Sequence, residues 1–160
     1  MWTAGGFYRG NSARERIWKT ETGKAVFITP EIMSSAGFAD KPGRYRLITM
    51  RSNDQFNTTI YGLSDRLRGV EGTRDVLLIS PIEMSRAGLS EGQIVSLVSD
   101  ADDGVEREVG SLKVMPFSLP DGCLGAYYPE MNSLIPLSNH DRQSKTPGSK
   151  SVAVRIKAAQ

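Results

Sequence analysis

The chain has 160 residues, a formal net charge of +2 and 39% hydrophobic residues, which is ordinary for one globular domain with its own core. The small positive charge argues against nucleic-acid or membrane partners, and no apolar run approaches the roughly 20 residues that cross a bilayer. One cysteine and one histidine exclude an internal disulfide and a multi-cysteine or multi-histidine metal site. The N-terminus lacks the apolar stretch of a signal peptide, so we expect a cytoplasmic protein.

Residues 1–24 are weakly patterned and contain many Gly, Arg and Ser residues. We therefore predict an extended N-terminal segment at residues 1–24, followed by the main domain at residues 25–160. The segment is rich in aromatic side chains, namely Trp2, Phe7, Tyr8 and Trp18. They form either an exposed patch of the kind that marks an interface with other domains, or a set that packs on the main domain itself.

Short apolar runs predict strands at residues 25–28, 45–50, 75–79, 93–99, 105–115, 123–128 and 151–156. Two helices are predicted from capping signals. Thr29 is the predicted N-cap of a first helix, which begins with Pro30 and ends before Gly37. Residues 80–83 form a capping box at the start of a second helix, which ends at Gly88. The two strand–cap–helix units are similar, and independent use of the same capping chemistry is favoured over internal duplication. Many short strands with few short helices predict a mainly β fold, built as a small barrel.

The most polar stretch follows the predicted strand at residues 45–50 and reads T-M-R-S-N-D-Q-F-N-T-T-I-Y-G. Arginine offers a planar charged fork for phosphate, and amide side chains offer paired donors and acceptors for a heterocycle edge. We name residues 51–59 loop A, residues 128–134 loop B and residues 145–151 loop C. If the loops converge, Arg51 and Lys150 suit phosphates, while Asn53, Gln55, Asn57 and Asn132 suit base and sugar edges. The sequence thus predicts a site for a phosphorylated ligand that contains a base.

A catalytic constellation is not predicted. His140 lies in a polar loop without a nucleophile elbow. Cys123 lies in an apolar run beside glycines, where a small core residue is favoured over a reactive thiol. Residues 148–151 have the wrong order for a phosphate-binding Walker loop and precede a strand instead of a helix. Ligand binding is the function that remains.

Several pieces of the chain, taken in order, resemble one family. L-I-T-M-R-S-N-D-Q-F-N-T (residues 47–58) resembles its first cofactor loop, and residues 80–95 resemble its helix, turn and G-L-x-x-G-D-x-V strand, with Gln93 in place of the usual Asp. N-S-L (residues 132–134) resembles its asparagine loop, and residues 145–155 resemble its closing loop and strand. The family is the C-terminal molybdopterin-dinucleotide-binding domain of molybdenum and tungsten oxidoreductases, specifically formate-dehydrogenase-like alpha subunits.

The resemblance implies a double-psi β-barrel with short helices, of the aspartate-decarboxylase-like kind. It also implies that the domain binds the guanine-dinucleotide arm or arms of a bis-molybdopterin cofactor. By position in the motifs, the implied cofactor-binding residues are Arg51, Ser52, Asn53, Gln55, Phe56, Asn57, Thr58, Asn132 and Lys150.

Molybdenum or tungsten would be held by the remaining domains of the alpha subunit, which are the expected partners. The chain alone would then be non-catalytic, and neither nucleic acid nor a membrane is expected as a partner. The alternative is a stand-alone nucleotide- or nucleic-acid-binding β-barrel, with salt-sensitive binding through a basic face. The low net charge and the acidic tip at residues 100–104 argue against it.

Overall fold

The computed structural model describes residues 4–27, 41–56 and 62–158. The chain divides into two compact units, Met1–Ser34 and Ser35–Gln160. In the first unit, residues 4–27 form turns without a helix or strand, and their side chains are exposed. Phe7, Tyr8 and Trp18 are among these exposed side chains, whereas Trp2 lies outside the described residues.

The strand predicted at residues 25–28 is wrong for residues 25–27, which are neither helical nor extended in a ladder. Val26 and Phe27 are 63% and 98% exposed. A short apolar run becomes a strand only where a neighbouring strand pairs with its backbone, and none of the described strands does so here. Ile28 and the helix predicted after Pro30 lie outside the described residues.

The second unit carries six strands within its described residues. They are β1 (Tyr45–Met50), β2 (Val76–Ile79), β3 (Ile94–Ser99), β4 (Glu108–Pro116), β5 (Cys123–Tyr127) and β6 (Val152–Ala158). A helix, α1 (Pro81–Ala87), follows β2, and a 3₁₀ helix (Glu130–Leu134) follows β5. Each of these strands was predicted from the sequence to within a few residues at its ends.

The strands close into a barrel in the order β1-β5-β2-β4-β3-β6. Two pairs are parallel, β1 with β5 and β2 with β4, and the remaining pairs are antiparallel. Closure leaves no free edge between these strands. The predicted mainly β barrel of the double-psi kind, with short helices, is confirmed.

Alternating apolar residues fill the barrel. Leu47, Leu97 and Leu112 are among the side chains with no exposed surface, and they belong to one contiguous core. β2 reads as a continuous apolar run, Val-Leu-Leu-Ile, because both of its faces are covered. Leu77 and Ile79 face the main core, whereas the other two side chains of β2 pack in a second cluster with Val70 and Tyr127.

The helix after β2 begins and ends as its sequence predicts. The Ser80 hydroxyl accepts a hydrogen bond from the Glu83 amide at 3.1 Å, and Pro81 occupies the first turn, where its missing donor is harmless. Gly88 adopts a left-handed conformation with φ of 65° and donates its amide to carbonyls of the last turn. None of the helices in the described part of the chain is long and apolar enough to span a membrane.

Candidate functional site

The three polar loops meet at one edge of the barrel because of the strand directions. β1 and β5 are parallel neighbours, so loops A and B leave the barrel at the same edge. β6 runs antiparallel to β1, so loop C, which leads into β6, arrives at that edge too. The Thr49 amide donates to the Ser149 carbonyl at 3.1 Å, and the Tyr128 amide donates to the Met50 carbonyl at 2.7 Å. These bonds fasten loops B and C to the end of β1.

A cleft of about 680 Å³ opens between loops B and C, within the range of roughly 300–1,000 Å³ that small-molecule sites occupy. Polar groups of Asn132, His140 and Lys145 line it beside the apolar side chains of Ile135 and Pro136. Such a lining suits a ligand that combines planar rings with anionic groups.

Loop A reaches the cleft through an aromatic ring. Tyr128 lines the cleft, and the Arg51 guanidinium lies over its ring, 5.5 Å from the centroid. This distance is typical of a cation–π contact. The Lys150 ammonium donates to the Thr49 carbonyl, and since an ammonium has three donors, the same group can also bind an anion. Both sequence-predicted phosphate residues therefore lie at the edge where the loops meet.

Two residues that the sequence predicted as cofactor ligands turn inward. Ser52 and Gln55 are each 5% exposed. The side-chain nitrogen of Gln55 donates to the Tyr128 carbonyl at 3.1 Å, and its side-chain oxygen accepts from the Ser52 backbone amide at 3.3 Å. Their side chains thus brace loop A against loop B.

The remaining predicted residues lie at the surface or outside the described ranges. Asn53 is exposed, and its side-chain amide donates to Asp54 at 3.0 Å. Phe56 is 76% exposed, a large apolar surface beside a polar loop. Asn57 and Thr58 lie outside the described residues.

Arg74 is the residue behind the site that sequence reasoning missed. It lies two residues before the start of β2 and is 3% exposed. Its guanidinium donates to the Ser52 hydroxyl at 2.8 Å and to the Gln55 side-chain oxygen at 3.0 Å. It also donates to the Tyr128 carbonyl at 2.7 Å and to the Glu130 carboxylate at 2.7 Å. Isolated in sequence, an arginine before a strand carries no signal that it is buried.

A second buried network supports the same region. The Tyr127 hydroxyl donates to the Asp65 carboxylate at 2.9 Å, and Arg68 pairs with the same carboxylate. Burial raises the pKa of Tyr127 to about 12, and the bond to Asp65 adds to the effect. Burial alone would raise the pKa of Asp65, but the hydrogen bonds from Arg68 and Tyr127 outweigh it and hold that pKa below its ordinary value of 3.8. Tyr127 therefore stays neutral and Asp65 charged near neutral pH.

The residues before loop C form a tight turn that walls the cleft. Asn139 donates its side-chain amide to the Gly148 and Ser151 carbonyls at 3.3 and 3.4 Å, and Asp141 accepts from the Ser144 amide at 2.7 Å. The His140 Nδ1 lies 2.7 Å from the Leu137 carbonyl, which can only accept, so Nδ1 carries the proton. The turn thus positions His140 and Lys145 along the cleft.

The ranges that the structure describes contain no cluster of residues arranged for metal binding or nucleophilic catalysis. Within these ranges, no group of three or more His, Cys, Asp or Glu side chains is placed to hold a metal ion. Cys123 is half-buried at the start of β5 and belongs to neither core cluster, so its predicted place in the core is not confirmed.

Fold and site together define a β-barrel domain with a cleft at one edge that polar and apolar groups line. The comparison with family models identifies it more closely. Residues 45–153 match the family described as "Molydopterin dinucleotide binding domain", that is, the molybdopterin-dinucleotide-binding domain. The chain belongs to this family.

Two relatives illustrate the setting of such a domain. An uncharacterised oxidoreductase of Mycobacterium tuberculosis is 45% identical over 145 residues, which are 88% of this chain and 18% of that protein. The protein YdeP of Escherichia coli is 40% identical over 159 residues, which are 95% of this chain and 20% of that protein. The chain thus spans about a fifth of the length of the curated relatives it matches.

Among solved structures, the acetylene hydratase from Pelobacter acetylenicus has a similar fold. The TM-score is 0.50 at 14% identity, over 72% of this chain and 18% of that one. At this identity the likeness concerns the fold alone.

Gly148 is a position where a single methyl group tests the turn beside the cleft. A Cβ there would lie 2.5 Å from the Asn139 side-chain oxygen, so Gly148→Ala should displace Asn139 and lower the free energy of unfolding by about 1 kcal/mol through its lost hydrogen bonds. Gly62→Ala, which meets nothing within 4 Å, is the matched control and should be neutral. Urea denaturation measures both variants.

The same substitution in an Asn139→Ala background should cost nothing further, because the clashing side chain is gone. Strict additivity of Gly148→Ala and Asn139→Ala would contradict this explanation.

The Asp65 network predicts a dependence of stability on pH. Since the folded-state pKa lies below the ordinary 3.8, the charged carboxylate stabilises the fold fully above about pH 4, and this contribution is lost as pH falls through the folded pKa. The difference in free energy of unfolding between the unaltered chain and Asp65→Asn should therefore shrink between pH 7 and pH 3. Asp121→Asn, at an exposed ion pair, should differ little at either pH. A constant difference for Asp65→Asn would be evidence against the network.

Proposed function

We propose that this chain binds the guanine-dinucleotide arm, or both arms, of a bis-molybdopterin cofactor. It would do so as the C-terminal domain of a formate-dehydrogenase-like oxidoreductase. The main support is that loops A, B and C meet at one edge of the barrel, beside a cleft lined by loops B and C. Membership of the dinucleotide-binding family gives the ligand class, and the loops give the binding groups.

The donors of the cleft and of the barrel edge beside it fit the parts of such a cofactor. A dinucleotide carries a pyrophosphate, for which Arg51, Lys145 and Lys150 supply positive charge. It also carries flat heterocycles with amide-like edges, which Asn132 and the His140 ring can meet by hydrogen bonds. The volume of about 680 Å³ accommodates part of a dinucleotide.

The predicted residues divide into two roles in this proposal. Arg51, Asn132 and Lys150 contact the cofactor directly, and Asn53, Phe56, Asn57 and Thr58 complete loop A around it. Ser52 and Gln55 act from behind, since their polar atoms bind protein groups. In loop A, Arg51 then supplies binding energy, whereas Ser52 and Gln55 fix the shape of the loop.

The chemistry belongs to the rest of the polypeptide. When bound, the molybdenum or tungsten centre supplies redox chemistry, and its protein ligands would lie on other domains. The relative from M. tuberculosis that is named an oxidoreductase supports this class, and a chain about a fifth as long as its relatives supports the role of one domain among several. A cytoplasmic location, expected from the sequence, is retained as part of the proposal.

Guanosine diphosphate is the simplest probe of the cleft. We expect the chain to bind it and Lys150→Ala to weaken binding about tenfold, because a hydrogen bond to a charged group contributes about 1.5–3 kcal/mol. Lys157→Ala is the matched control, since Lys157 lies on β6, which follows loop C, and pairs with Glu108 at 3.0 Å. The affinity of Lys157→Ala for guanosine diphosphate should stay within about twofold of that of the unaltered chain. NMR titration at fixed salt measures all three.

Absolute affinity will be modest, since much of the cofactor surface would be covered by other domains. An unaltered chain that ignores guanosine diphosphate but binds oligonucleotides with steep salt dependence would instead support the stand-alone nucleic-acid-binding barrel.

The full-length protein tests the wider proposal. Arg51→Ala and Lys150→Ala should lower the molybdenum or tungsten content per purified chain, because each removes a cation from the cofactor's phosphates. Lys157→Ala should retain the metal. The unaltered holoenzyme should reduce an artificial electron acceptor with formate. Full metal content in both loop variants would contradict the proposed role in cofactor binding. A metal-loaded enzyme that does not oxidise formate would contradict only the assignment of formate as substrate.

A further inference from the structure

The buried guanidinium of Arg74 bridges loops A and B. Its partners lie on two chain segments that are distant in sequence. Ser52 and Gln55 belong to loop A, while Tyr128 and Glu130 belong to loop B. Arg74 itself belongs to neither loop and does not line the cleft.

The geometry of these contacts is typical of a residue that restrains the conformation of its neighbours. The guanidinium also lies over the Tyr127 ring, 4.4 Å from its centroid. Its planar fork donates in several fixed directions at once, which a lysine ammonium cannot reproduce. A charge that is 3% exposed must stay paired, because an unpaired buried charge is strongly unfavourable. Movement of either loop away from Arg74 would therefore be opposed.

The bridge extends to residues that contact a ligand. Glu130 begins the 3₁₀ helix that carries Asn132, and Tyr128 carries the ring beneath Arg51. Ser52 directly follows Arg51 in loop A. Arg51 and Asn132, the direct contacts assigned above to loops A and B, thus each lie within two residues of an Arg74 partner.

We propose that Arg74 is the positioning residue of the cleft, which locks loops A and B into one arrangement before a ligand arrives. The inference rests on the proposed function for the identity of the ligand, but the locking itself is a property of the free chain. A preorganised site binds more tightly because less freedom is lost on binding.

The test compares Arg74→Met and Arg74→Lys with Val95→Ala. Val95 is buried on β3, which pairs with β4 and β6 and not with β1 or β5. Its truncation therefore lowers thermal stability through the core while leaving every hydrogen bond of Arg74 in place. Hydrogen exchange in the absence of ligand is measured at two backbone amides. The Gln55 amide donates to the Ser52 carbonyl, and the Tyr128 amide donates to the Met50 carbonyl.

Arg74→Met should accelerate exchange at Gln55 and Tyr128 by about tenfold or more relative to the amides of β3. It should weaken guanosine diphosphate binding by about tenfold, the loss that follows when partners behind metal ligands are removed. Arg74→Lys should recover part of both effects, because an ammonium can still pair with Glu130. Val95→Ala should change neither the relative exchange nor the affinity.

Equal relative exchange in Arg74→Met and Val95→Ala would overturn the proposal. Loosened loops with unchanged affinity would overturn it as well. If Arg74→Met fails to fold, Glu130→Gln replaces it, since this change removes one charge while keeping an acceptor, and the same selective exchange is expected. If the unaltered chain binds no guanosine diphosphate, the proposed function fails, and the exchange rates alone decide whether Arg74 locks the loops.

Discussion

The register of β1 with β5 on one side and β6 on the other is the constraint on which the site depends. The parallel pair ends at Met50 and Tyr127, and β6 begins opposite Leu47. Because side-chain and loop positions follow strand register, a shift of one pair would separate loops A and B and reverse the faces of each strand. Closure of the barrel forbids such a shift, since every strand is held on both sides. A rigid edge can then carry long polar loops.

Buried charge gives this edge a second level of order. Arg74 with Glu130, and Asp65 with Arg68, place ion pairs beneath loops that are rich in polar groups. Taking such charges out of water is unfavourable unless each is paired and hydrogen-bonded, so these pairs contribute specificity of arrangement more than net stability. The neutral Tyr127 hydroxyl completes the network by donating to Asp65. Beneath the barrel edge, the buried polar groups of Arg74, Asp65 and Tyr127 are thus hydrogen-bonded by other protein groups.

The barrel supports binding without deciding a reaction. Its fold is similar to a domain within an acetylene hydratase, whereas one relative in sequence is named an oxidoreductase. A shared fold therefore says little about the chemistry, which depends on the residues around a bound group. In the proposed function, this chain contributes affinity and orientation, and the reacting centre lies on other domains.

Local sequence alone determined the helix after β2, since the Ser80 cap, Pro81 and Gly88 act within a few residues, and it determined the strands through their apolar patterns. It also located the polar loops and, through resemblance, the family. Only the tertiary structure decided which loop residues turn inward, because Ser52 and Gln55 accept hydrogen bonds from Arg74, which lies about 20 residues away in sequence. The failed strand at residues 25–27 has the same cause: a strand needs a partner that local sequence does not specify. Pairing across the barrel, which no short window of residues contains, decided both.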